Sequence, residues 1–394
     1  MRLPATLLLV ALGSTALARP HKTTRRPAAG PDSALARQIV SAAQVGGQDV
    51  VLVRAGHQTL SLAEEVATQA AEKGAATTID FVSPDAVRAW IQAAPESALA
   101  QAPPCGQSVL QTSTVVIDLA SPFDPGLLSG IAPGRLDHLR DGRKALDDTF
   151  WRSNVRRLEV AGAAYPSEES ARLFHAEPAA FQRAMWAAAE VKTPLIQFKT
   201  DRVRKALAGL KQIRVTAPNG TDLSLRLSGG PLYVNNGFFD PDTLARPGAH
   251  EISLPAGEVA AAPHTLFGTG ELVGDTVIDG TLVKGVHLRF TDGKALPESG
   301  GAGYDLFQRA FDDASGSKGI IGVFAVGTND ASRPPRGSTY RSSEMAGMVT
   351  IGIGYDKRVG GSNDDTSFAA SFLLPDATVT VNGTPLVQHG KLVP

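Results

Sequence analysis

Between residues 33 and 119, short apolar runs alternate with stretches of helical periodicity; after about Lys211, that alternation gives way to strands punctuated by turns. Each texture admits a narrow set of folds. Leu35, Ile39, Val40 and Ala43 recur at helical spacing, and Asp49 to Arg54 then forms an apolar run bounded by Gly46-Gly47 and Gly56. Such a run reads as a strand buried on both faces. The pattern predicts a helix over 60–73 stopped by Gly74, a strand over 76–82, a helix over 84–94 and a strand over 109–119. Strands separated by helices imply a parallel sheet covered on both faces. Residues 137–190 read as mostly helical, with Pro166 and Pro178 where first helical turns accept proline.

Beyond residue 211 the period changes to two. Residues 213–216 and 223–227 alternate and are joined by Pro218-Asn219-Gly220-Thr221, a hairpin signal. Strands over 286–290 and 378–381 end at Asp292-Gly293 and Asn382-Gly383, and a single helix is expected over 304–314. A chain of 394 residues exceeds what one core of about 250–300 residues holds. The expected architecture is therefore a doubly wound α/β domain over 33–210 followed by a β-rich, α+β domain over 211–394.

Residues 1–18 read as a signal peptide: Arg2 precedes an apolar run from Ala5 to Leu12, and Ala16-Leu17-Ala18 supplies an A-x-A cleavage site. Residues 19–32, rich in Pro, Arg and Gly, read as an unstructured spacer. The expectation is a secreted or periplasmic protein, with no membrane attachment after cleavage. The one cysteine, Cys105, lies in a Pro-Pro-Cys-Gly stretch and cannot form an internal disulfide. A net charge of −1, with both signs interspersed, gives no reason to expect nucleic acid.

Standard chemical signatures are missing. Ala55-Gly56-His57-Gln58 follows the first strand in place of a dinucleotide fingerprint, and there is no Walker loop, H-E-x-x-H, G-x-S-x-G or C-x-x-C. Gly352-Ile353-Gly354 and Gly360-Gly361-Ser362-Asn363 lie among strands and read as tight turns, and the Asn-Gly-Thr triplets at 219 and 382 read the same way. His57 follows the C-terminal end of a strand, the edge where open α/β sheets bind ligands. His264 lies six residues after Glu258, and His250-Glu251 is a second local pair; neither has metal-ligand spacing.

Five segments carry a resemblance: Lys73-Gly74-Ala75-Ala76, the stretch Tyr165-Pro166-Ser167-Glu168-Glu169-Ser170-Ala171, Ala217-Pro218-Asn219-Gly220-Thr221-Asp222-Leu223, Leu254-Pro255-Ala256-Gly257-Glu258-Val259, and Leu288-Arg289-Phe290-Thr291-Asp292-Gly293-Lys294. In this order they resemble the thermophilic aminopeptidase family, the leucyl-aminopeptidase / aminopeptidase T and S metallopeptidases, over nearly the whole mature chain. The resemblance implies release of an N-terminal residue by two metal ions about 3.5–4 Å apart that activate a bridging water. It also implies a homodimer. Family ligands are the L-P-A-G-E-V glutamate, a second glutamate, two histidines and an aspartate, with a tyrosine nearby.

Carried over one by one, the first glutamate is Glu258. The second falls at Val323, the first histidine at Thr350, and the final histidine and aspartate at Ala369 and Ser371. Tyr355 lies near the expected tyrosine but at a different offset. Val and Ala offer no donor, and one carboxylate cannot hold two divalent cations. The resemblance thus implies a homologue with a degenerate metal site and no resident cofactor, a peptide- or partner-binding protein of the exported compartment. The competing expectation is a working aminopeptidase holding zinc, cobalt or manganese, in which His264, Asp275, Glu344, Asp364 or Asp365 joins Glu258. A third is a purely structural envelope protein.

Overall fold

A computed structural model describes residues 31–119, 127–128, 130–161, 166–190, 193–239, 244 and 249–393. Residues 1–18, read above as a signal peptide, and residues 19–30 of the expected spacer lie outside them. The first half consists of α1 (Pro31–Ala42), β1 (Val50–Ala55), α2 (Leu60–Glu72), β2 (Ala76–Phe81), α3 (Pro84–Ala93), α4 (Glu96–Leu99), α5 (Pro104–Thr112), β3 (Val115–Leu119), α6 (Pro133–Trp151), β4 (Arg156–Val160), α7 (Glu168–Leu173), α8 (Pro178–Ala189) and α9 (Thr193–Leu207). The second half adds β5 (Leu210–Thr216), β6 (Asp222–Ser228), β7 (Tyr233–Asn235), β8 (His250–Leu254), β9 (Glu258–Ala261), β10 (Pro263–Ile278), β11 (Thr281–Thr291), β12 (Lys294–Ser299), α10 (Tyr304–Asp313), β13 (Ile321–Gly327), β14 (Val349–Gly354), β15 (Ala369–Leu374), β16 (Thr378–Val381), β17 (Thr384–Gln388) and β18 (Lys391–Leu392).

The first sheet is parallel, in the order β2-β1-β3-β4-β8. Its strands are apolar on both faces because helices cover both. Leu35 and Ile39 of α1 and Leu62 and Val66 of α2 bury Val53 and Ile117 from one side. Phe150 of α6 packs on Leu52 and Val116 from the other, with α3 bound to α6 through Ile91, Leu136 and Leu139. This is the doubly wound α/β unit that the alternating pattern predicts. The second half is a sandwich of two antiparallel sheets, one of eight strands (β12-β11-β10-β6-β5-β16-β17-β18) and one of five (β15-β14-β13-β9-β7). Between them lies a core that includes Leu225, Leu272, Phe324, Ile351 and Phe372. Phe307 and Phe311 of α10 seal it edge-on against Phe368.

Three local expectations need correction. Residues 109–112 end helix α5 rather than begin a strand, and Ser113, in an extended conformation, is its C-cap. Within the stretch read as helical, Arg156–Val160 is strand β4. Its alternation Arg-Arg-Leu-Glu-Val hides a strand because its charged members sit in an ionic row rather than in water, as described below. The helix α1 starts at Pro31, two residues inside the expected spacer. As for the division of the chain, β5 starts at Leu210, but β8 returns to complete the parallel sheet beside β4. The loop after β8 then passes directly into β9 of the sandwich, so residues 254–258 stitch the two halves together.

Candidate functional site

The segment Leu254-Pro255-Ala256-Gly257-Glu258 runs from the C-terminal end of β8 into β9, and its backbone explains its composition. Gly257 has φ of +120°, and a Cβ there would come within 2.7 Å of the Asn329 Cβ and 2.9 Å of its nitrogen. Only glycine satisfies both constraints. Its N–H donates to the Asn235 carbonyl at 2.8 Å, and its carbonyl accepts from the Thr328 N–H at 2.7 Å. Asn329 is fully buried and ties the region together: its amide donates to the Ala256 carbonyl at 2.7 Å and the Ala188 carbonyl at 3.1 Å. Glu258 therefore enters β9 on a backbone that cannot shift.

Strand register decides what Glu258 faces. Gly327 and Asn235 stand opposite Glu258; Tyr233 and Ala325 stand opposite Ala260. Thr350 pairs with Ala325, Val323 with Gly352, Gly352 with Ser371, and Gly354 with Ala369. Side chains in register share a face and alternate along each strand. Glu258, Val323, Thr350, Ala369 and Ser371 therefore all lie on one face of the five-stranded sheet, the face turned away from the sandwich core. The five ligand positions that the resemblance selects thus share a sheet face. Of these five positions, besides Glu258, only Thr350 and Ser371 carry side-chain oxygen. Ala260, Ala325 and Val359 pack as a small apolar patch beside Tyr233 and Val323.

Glu258 is 2% exposed, and its partner is a cation of the chain itself. Arg358 Nη1 stands 3.4 Å from Glu258 Oε2, and the guanidinium lies 5.1 Å from the centre of the Tyr233 ring. Burial opposes charge on Arg358, but Glu258, Tyr233, Glu251 and Glu344 around it raise its pKa, so the guanidinium stays ionised. The other oxygen, Glu258 Oε1, is buried without a hydrogen-bond partner, as are the Tyr233 hydroxyl and Thr350 Oγ1. Burial also pushes the Tyr233 phenol up, keeping it neutral.

Arg358 follows β14 on a 3-10 turn, Lys357–Val359, and lines a cleft of about 490 Å³ between the two halves of the molecule. Trp151 and Arg152 of the first half and Tyr233, Phe238, Lys357 and Gly360 of the second border this cleft, together with His250 and Glu251. The penultimate row of the parallel sheet is polar: Asp80, Arg54, Asp118, Glu159 and Ser253 are in register on adjacent strands. Arg54 binds Asp118 at 2.8 Å, and Ser253 Oγ accepts from the Asn235 amide at 2.8 Å. One row back, Arg157 Nε donates to Glu251 at 2.6 Å and stacks on Phe150 at 4.4 Å. Glu159 is pushed up to about 7 by burial, then by Glu251 and Asp118. This row is what the sequence pattern missed in β4; its signal is the recurrence of a charged residue at the same point of four strands.

Of the residues that could rebuild a metal site, the structure disperses most. His264 and Asp275 are on β10 in the other sheet, where His264 Nδ1 accepts from the Leu266 N–H at 3.3 Å and Asp275 from the Gly285 N–H at 2.8 Å. Asp364 is paired with Lys357 at 2.8 Å, and Asp365 accepts from the Ser317 N–H at 3.0 Å. Glu344 alone interacts with Glu258. Burial, then the Glu258 charge, raises its pKa, and the Ser342 hydroxyl donates to it. Tyr355 turns away and donates to Asp148 at 3.2 Å. His57 packs edge-on against Phe81 at the far end of the parallel sheet, and Cys105 is exposed on α5.

The donor set is a poor match for a pair of divalent cations. The orphaned Glu258 Oε1 is a free ligand atom, but Oε2 already faces a guanidinium. No cluster of three or more ligating His, Cys, Asp or Glu side chains occurs around Glu258 among the described residues. Two dications need several nitrogen or oxygen donors between them.

Residues 34–339 match the family model of the thermophilic metalloproteases (M29). Among solved structures, the chain is similar to wild-type AmpT from Thermus thermophilus, with a TM-score of 0.67, 18% identity, and coverage of 92% of this chain and 99% of that one. It is also similar to 2,5-dihydroxypyridine dioxygenase from Pseudomonas putida KT2440, with a TM-score of 0.58, 13% identity, and coverage of 92% and 96%. At these identities the likeness shows a shared fold. No curated protein matches the chain.

Proposed function

The chain belongs to the thermophilic metalloprotease (M29) family, and on that premise we propose that it is an exported member that does not hydrolyse peptides. In this reading the metal centre has been replaced by an internal ion pair, and the cleft is kept as a binding site for a peptide. Its one carrying observation is Arg358 against Glu258. A fixed positive charge beside the one remaining carboxylate repels a dication, and Val323, Thr350, Ala369 and Ser371 supply none of the strong donors that would overcome that repulsion. Removing clustered carboxylates also lets the fold stand without cations.

The cleft keeps what a peptide needs. Trp151, Tyr233 and Phe238 give apolar contact, and Arg152, Lys357 and Asp364 give charged edges. Export rests on the segment from Arg2 to Ala18, and homodimerisation on the family resemblance. A second reading, aminopeptidase activity from a rearranged site, has one observation in its favour: Glu344, held close enough to Glu258 for each charge to disfavour the other. Two carboxylates can share one cation.

The test is release of leucine from leucine amide by purified mature protein, with zinc, cobalt or manganese added in turn. The proposal expects no turnover above that of Glu258→Gln. Metal-dependent turnover that Glu258→Gln abolishes would establish the second reading instead.

A further inference from the structure

We propose that Glu271, His287 and Glu298 form a second-site binding centre for a divalent transition-metal cation of the zinc type, on the outer face of the eight-stranded sheet. The three residues occupy adjacent strands β10, β11 and β12, and one ligand atom from each lies within 4.8 Å of the others. His287 Nε2 is 2.8 Å from Glu271 Oε2, and Nδ1 is 3.7 Å from Glu298 Oε2. Ligands of a tetrahedral zinc ion, each roughly 2.0–2.1 Å from the metal, lie about 3.3 Å from one another. Those two spacings belong to different ring nitrogens; with one ring nitrogen and one oxygen from each carboxylate as ligands, the three donor atoms lie within 4.8 Å of one another, and side-chain rotations that draw them to about 3.3 Å complete three corners and leave the fourth to water.

The backbone holds the three in place. Two tight hairpins, with Asp279 and Gly280 and then Asp292 and Gly293 at positive φ, fix the pairing of β10 with β11 and of β11 with β12. Glu271 stands opposite Arg289, and His287 opposite Val273, which makes Glu271 and His287 diagonal neighbours on one face. The register of β12 slips between its partners to His287 and Leu288, and Glu298 is the extra residue at that irregularity. Such a bulge re-aims a side chain. Arg289 engages Glu298 Oε1 at 2.5 Å, which leaves Oε2, the oxygen nearer the imidazole, for a cation. Two carboxylates against one guanidinium surround the imidazole with net negative charge. Side-chain exposures of 38%, 32% and 26% for Glu271, His287 and Glu298 leave it open to metal entry.

Zinc chloride titrated calorimetrically into the full mature chain at neutral pH is the test, with the fold of each variant checked by circular dichroism. The expected result is one equivalent bound, weakened at least tenfold by His287→Ala and by Glu271→Gln and unchanged by Glu258→Gln. Absence of zinc binding, or unchanged binding in His287→Ala, overturns this proposal and leaves the reading of the cleft intact. Zinc binding lost in Glu258→Gln but kept in His287→Ala overturns both, because it puts the metal at Glu258.

Discussion

If Arg358 is the counter-ion that lets Glu258 remain charged inside the protein, Arg358→Met should destabilise the fold, and Glu258→Gln on top of it should rescue most of the loss. Breaking a buried ion pair by removing one partner costs about 3–5 kcal/mol. Two features of the structure lower that figure: the 3.4 Å separation exceeds that of a tight charge-assisted bond, and the Arg358 side chain is 41% exposed within the cleft. A loss of about 2 kcal/mol is the reasoned value after that discount. Urea denaturation of the wild type, the single variant and the double variant at pH 8 measures the effect. A single variant within 0.5 kcal/mol of wild type at pH 8, or a double variant less stable than the single, would refute the ion-pair account.

Other perturbations follow from the same geometry. Glu159, with a folded pKa of about 7 against an ordinary 4.5, leaves stability intact below pH 4.5 and loses it as the pH rises towards 7. That shift corresponds to about 3 kcal/mol, so Glu159→Gln should unfold at higher temperature than wild type at pH 8 and match it near pH 4.5. Gly257→Ala places a Cβ against Asn329 at a φ of +120° and should cost about 2 kcal/mol or more in denaturant melts while distorting the Glu258 backbone. Because the family positions share one sheet face, the combined variant Val323→Glu, Thr350→His, Ala369→His, Ser371→Asp and Arg358→Met should gain cobalt binding that the parent lacks at Glu258, read by calorimetry. No gain would mean that the face is misassigned.

Much of the fold was legible because its determinants are local. Apolar runs between glycines gave β1 and β2, and the Asn219-Gly220 and Asp292-Gly293 signals gave the hairpins. What failed was non-local. Arg156 to Val160 carries charges that look solvent-facing until Glu159 is seen beside Asp118, and Arg157 beside Glu251. Likewise β8 lies in the second half of the chain but completes the first sheet, which no periodicity reveals. At the site, the sequence positions on one face could be picked from motifs, but Arg358 could not. It has no motif and reaches Glu258 across 100 residues through the turn after β14. The triad of Glu271, His287 and Glu298 was hidden differently: its hairpin turn Asp279-Gly280 was readable, and pairing the strands from that turn would have put Glu271 near His287.

The most direct measurement is anomalous diffraction at the zinc edge from crystals of the protein grown with zinc. The account predicts no anomalous peak beside Glu258 and electron density for the Arg358 guanidinium against its carboxylate. Two peaks about 3.5–4 Å apart on the Glu258 face, with Arg358 turned away, would contradict it and restore the chain to the working metallopeptidases.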